Sequence, residues 1–79
     1  MNNAWRKLER SERATIGRFE CDIWRTGEGA RYSVLDTNTG RYIKGGKCAD
    51  LEWARQVSEG FARTISELSA AFQNSVQGE

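Results

Sequence analysis

The chain has 79 residues and a net charge of +1, with 38% hydrophobic and 29% charged residues. This is the balance of one small globular domain, 1–79, and a chain this short buries only about 60% of its unfolded surface. It has room for one core and one binding surface, and a deep catalytic cleft is not expected.

Residues 1–14 read as a short helix or a loose arm. Trp5 and Leu8 share a helical face there, and the rest is mostly charged. Arg6, Lys7, Arg10 and Arg13 also suit an arm lying on phosphates, with Glu9 and Glu12 interrupting it. From Thr15 to Thr26 the period becomes two, with Phe19, Cys21 and Ile23 on one side and Arg18, Glu20, Asp22 and Trp24 on the other. Gly27-Glu28-Gly29 marks a turn. Arg31 to Asp36 predicts a second strand with Tyr32 and Val34 inward. A second turn over 36–40 leads to a short third strand over 41–44 with Ile43 inward. Such short turns favour an antiparallel meander over 15–46.

Residues 48–77 form one long amphipathic pattern. With Ala54 at the centre of a helical wheel, Leu51, Val57, Phe61, Ile65, Leu68, Phe72 and Val76 gather within about 60° of it. Glu52, Arg55, Gln56, Glu59, Arg63 and Glu67 fall on the far side. Asp50 suits the N-cap. Gly60 sits mid-helix and suggests a flank where another segment approaches. The predicted fold class is α+β: a three-stranded antiparallel meander packed on one long C-terminal helix. Its core centres on Phe19, Ile23, Val34, Val57 and Phe61. A helix of about 27 residues spans ~40 Å and a six-residue strand ~20 Å. The distal stripe of Ile65, Leu68, Phe72 and Val76 therefore needs another cover, either the N-terminal segment or a second copy of the chain.

Charge is unevenly shared, +4 over residues 1–47 and −3 over 48–79. A basic front and an acidic helix steer partners, or solvate two exposed faces. There is no histidine, which removes the commonest general base and metal ligand. Two distant cysteines do not make a zinc site, so no metal or cofactor is expected, and no enzymatic activity. The start of the chain lacks an apolar secretory run, and no stretch approaches the ~20 apolar residues of a membrane helix. The expected compartment is the cytoplasm, where Cys21 and Cys48 stay reduced as small hydrophobes; a disulfide between them would need an oxidising compartment. The glycines at 40, 45 and 46 before the helix fail the phosphate-loop pattern, because Gly46 holds the lysine's place. Asp36, Asn38 and Gly40 fail the calcium-loop pattern, which wants glycine where Arg41 stands.

The outward sheet face is the candidate site. Trp24, Arg31 and Tyr42, with Arg18 and Lys44, are expected to share it, and Trp, Tyr and Arg are the residue types enriched in binding hot spots. The order of three short strands then a helix over 15–65 resembles the DNA-binding domains of plant AP2 factors and phage-integrase arm domains; Glu20 and Asp22 depart from their strongly basic sheets. In its small size, frequent turns and lack of histidine the chain also resembles phage accessory proteins of the anti-CRISPR inhibitor kind. That resemblance implies a non-enzymatic module that occupies a host protein or a protein–nucleic acid complex. The alternatives are a double-stranded DNA-binding module using the sheet face and a structural homodimer through Ile65, Leu68, Phe72 and Val76.

Overall fold

The computed structural model describes residues 5–77, with side chains through residue 69. The sheet has five strands rather than three: β1 (Trp5–Lys7), β2 (Glu12–Ile16), β3 (Phe19–Thr26), β4 (Gly29–Asp36) and β5 (Arg41–Cys48), followed by the helix α1 (Leu51–Gln77). All neighbours are antiparallel and the spatial order is β1-β2-β3-β4-β5. The expected N-terminal helix or arm is instead a hairpin, β1 on β2, with Trp5 opposite Ala14 and Lys7 opposite Glu12. The three-strand topology behind the likeness to AP2 and integrase arm domains does not hold.

The reason lies at Gly17. Ile16 pairs with Phe19, so Gly17-Arg18 is a two-residue hairpin loop. Gly17 has φ +60°, the left-handed value required at the first loop position of a type II′ turn. That turn reverses the chain and makes 12–16 a partner of β3. Ala14 then faces Cys21 across the ladder, and Ile16 faces Phe19. Once β2 is in place, Trp5 reaches the core and is only 8% exposed.

One face of the sheet carries Trp5, Ala14, Phe19, Cys21, Ile23, Ala30, Tyr32 and Val34, all buried. α1 lies across it. The helix residues at the centre of the contact are Ala54, Ser58 and Ala62, each fully buried. They form one i, i+4 row, and their small side chains let the helix backbone approach the sheet. The Cys21 thiol donates to the Ser58 carbonyl at 3.6 Å, and Ser58 Oγ donates to the Ala54 carbonyl at 2.8 Å. Leu51, Val57, Phe61 and Ile65 flank this row, half-buried. Val57 and Phe61 are thus shoulders of the core and not its centre. Gly60 is exposed, with nothing within 4 Å of where a β-carbon would stand, so no segment approaches that flank among the described residues.

Asp50 caps the helix as expected, its Oδ1 accepting from the Trp53 amide at 2.8 Å. Side chains assigned by the wheel to the far side, or to the N-terminal arm, tie the first hairpin to α1. Arg55 Nη2 donates to Glu12 at 2.8 Å, and Trp5 Nε1 donates to Glu59 at 3.1 Å. In β5 the period breaks. Val34 stands opposite Lys44 but Leu35 stands opposite Tyr42, so Ile43 is inserted in a bulge. Ile43 is 39% exposed rather than inward. The residues Gly46, Lys47 and Cys48 belong to the strand and not to a loop at the helix start.

Candidate functional site

The helix covers one face of the sheet, and among the described residues no element covers the other. On the open face the register sets Trp24 on β3 beside Arg31 on β4, Asp22 beside Ser33, and Leu35 beside Tyr42 on β5. Trp24 is half-buried and Tyr42 is 67% exposed. A shallow groove of about 660 Å³ runs between them, with Asp22 and Ser33 on its floor and Arg10, Ser11 and Arg25 along its rim. A smaller depression of about 210 Å³ adjoins it, bounded further by the β1–β2 turn and Leu51. Trp24, Arg10, Ser11 and Arg25 line both hollows.

Three of the five expected binding residues, Trp24, Arg31 and Tyr42, share this face. The other two do not. The bulge at Ile43 turns Lys44 to the helix side, opposite Val34, with its ammonium 5.9 Å from the Phe61 ring centre. Arg18 sits in the β2–β3 turn. Its Nε lies 3.3 Å from Asp36 Oδ1, its guanidinium is 5.1 Å from the Phe19 ring centre, and its carbonyl accepts from the Thr37 amide and hydroxyl. Arg18 holds two turns together at one end of the sheet.

Of Glu20 and Asp22, the acidic departures from a basic face, Asp22 is paired by a residue that the sequence reading placed in the N-terminal arm. Arg13 on β2 stands opposite Asp22 and donates to it twice, at 2.7 and 3.3 Å, and lies 3.7 Å from Glu20. Asp22 pushes the Arg13 guanidinium above its ordinary pKa, first through these hydrogen bonds. Arg6, Arg10, Arg25, Arg31 and Lys47 make no ion pair among the described residues. The face and its rim carry a surplus of unpaired positive charge around two aromatic rings. Arg10 and Arg13, read in the sequence as part of an arm, and Ser11 join this face only through the first hairpin; Arg25, at the end of β3, was not singled out. The glycine-first pair Gly17-Arg18, between Ala14/Ile16 and Phe19/Cys21, was the available signal for the hairpin.

Cys21 is buried, and its thiol pKa is pushed up to about 11, chiefly by burial and then by the charges of Asp22 and Glu59. A thiol so protonated is a poor nucleophile. Cys48 is half-buried, also free, and raised by burial. Among the described residues no three acidic or cysteine side chains gather as a metal-binding group. No described helix is long and apolar enough to cross a membrane. No family model matches the chain, and comparisons with curated proteins and with solved structures returned no match.

Proposed function

We propose that this chain is a non-enzymatic module that binds a partner protein through the open face of its sheet and acts by occupying the partner's surface, as inhibitors of the anti-CRISPR kind do. The observation that carries this reading is the groove between Trp24 and Tyr42. Trp24 stands opposite Arg31, and Tyr42 stands opposite Leu35 four residues further along β4, on a face that no described element covers. Aromatic and arginine side chains of this sort dominate interface energetics once desolvated.

The test starts with capture of the partner from a host lysate and its identification by mass spectrometry, followed by titration. Trp24→Ala is expected to weaken binding at least ~30-fold, the equivalent of ~2 kcal/mol. Its melting temperature should stay within a few degrees of wild type. Arg31→Glu should weaken the same binding, and Glu67→Lys on α1 should not. Full binding by a folded Trp24→Ala protein would refute the reading.

The unpaired positive charge of the face supports a second reading, a double-stranded DNA-binding module. Salt separates the two. Duplex binding should weaken with about one logarithmic unit of slope per phosphate neutralised, whereas an aromatic-centred protein interface should change little. The homodimer reading rests on the distal helix. Ile65 packs half-buried against the core, Leu68 is 60% exposed, and the side chains of Phe72 and Val76 lie outside the described residues. Sedimentation of wild type against Leu68→Glu tests it.

A further inference from the structure

β5 is an edge strand, bonded to β4 on one side only. It is eight residues long, and Arg41 through Gly45 and Lys47 are exposed. Alternate residues of such a strand turn their N–H and C=O groups away from the sheet, a template for another strand. The opposite edge, β1, is three residues long, too short to serve in the same way. Beyond the bulge at Ile43, residues 44–48 pair regularly with β4. Gly45 and Gly46 lie within that regular stretch, so no side chain of theirs shields the backbone. The Tyr32 ring already fills the space over Gly46 on the helix side, where an added β-carbon would lie 3.1 Å from it.

Charge selects the occupant. β5 carries Arg41, Lys44 and Lys47 and no acidic residue. Antiparallel pairing with a second copy brings two strands of three cations each within one strand spacing, which is unfavourable. The same cations favour an incoming strand with carboxylates. Tyr42 and Ile43, 67% and 39% exposed, offer apolar contacts for its alternate side chains. We infer that the free edge of β5 is a strand-addition site for an extended acidic segment of a partner protein, which joins the sheet as its next strand. This does not depend on the groove at Trp24.

The probe is a ten-residue peptide alternating glutamate with valine, titrated into the isotope-labelled full chain and followed by amide NMR and hydrogen exchange. Outward amides of 44–48 are expected to exchange at least tenfold more slowly at saturation. A peptide of identical charge with alternate backbone nitrogens methylated should give no protection. Arg41→Glu/Lys47→Glu should lose the glutamate peptide and gain its lysine–valine counterpart, while Trp24→Ala should bind the glutamate peptide as wild type does. Absence of protection, equal binding of the methylated peptide, or stronger protection of the same amides by a DNA oligonucleotide would each overturn the inference. Loss of binding in Trp24→Ala would do so too, by moving the peptide to the groove.

Discussion

Two glycines show how one substitution changes sign with its surroundings. At Gly29 the backbone has φ +151°, and an added β-carbon would collide with the Cys48 carbonyl oxygen and stand 2.8 Å from that of Ala49. Both obstacles are backbone, so neither can rotate away. Gly29→Ala should therefore destabilise the chain by about 1–3 kcal/mol. Gly60 is mid-helix and exposed, with nothing within 4 Å of the same position. Gly60→Ala should stabilise by ~1 kcal/mol through helix propensity alone. Urea unfolding of the two variants checks both signs, and a destabilised Gly60→Ala would mean that something packs on that flank. Gly60 was legible as a glycine in a helix but not as an open one, because a sequence does not say which neighbours a flank has.

At the scale of elements, the seating of the first hairpin on α1 is partly electrostatic. Glu59 accepts from Arg63 at 2.8 and 3.2 Å and from Trp5 Nε1 at 3.1 Å. These bonds, Arg63's first and Trp5's next, hold its carboxyl below the ordinary value of 4.5. A carboxylate whose folded pKa is depressed contributes its stability above the unfolded pKa and loses it as pH falls through the folded one. The stability lost by Glu59→Gln should thus be largest near neutrality and shrink as the pH is lowered from about 5 to about 3. Urea midpoints of both proteins across that range decide it, and a gap independent of pH would remove Glu59 from the acid limb. The partners in this arrangement were the hard part to read. β3 and α1 announce themselves by period, with Phe19, Cys21 and Ile23 alternating and an apolar stripe following Leu51. β1 and β2 do not, because four of their eight residues are charged and only Trp5, Ala14 and Ile16 mark an inner face. The wheel finds Ala54 and the large apolar side chains of α1 but not Ser58 and Ala62, which are fully buried beside Ala54 and which backbone approach rewards and hydropathy does not. The bulge that reverses Lys44 leaves no mark in a period-two reading. The outer face was legible where β3, β4 and the start of β5 keep their alternation, at Trp24, Arg31 and Tyr42.

At the scale of the whole molecule, β1 and the distal turns of α1 sit differently with respect to the sheet. The molecule measures 51 × 27 × 20 Å. Eight-residue strands span ~26 Å, and a 27-residue helix spans ~40 Å, so α1 outreaches the sheet it covers. Gly17, at the β2–β3 turn, would place a β-carbon 2.8 Å from Ser66 Oγ, which puts that end of the sheet level with Ser66. The eleven helix residues after Ser66 extend about 16 Å further at the ordinary rise. At the other end, Trp5 is 8% exposed, bonded to Glu59, and within 5.9 Å of the Arg55 guanidinium across its ring. Deleting residues 1–8 should remove that ring from the core and strip β2 of its partner. The cost is that of a large-to-small core substitution, ~3–5 kcal/mol, a large share of the stability of a domain this size. Ending the chain after residue 71 should shorten the helix and leave the sheet covered, so cooperative melting should persist with a modest fall in midpoint. Circular dichroism melts of the two truncations give the comparison. An N-terminal truncation that melts like wild type would return residues 1–8 to the status of a loose arm. A C-terminal truncation that fails to fold would show that the distal turns of α1 stabilise the domain by contacts beyond the sheet.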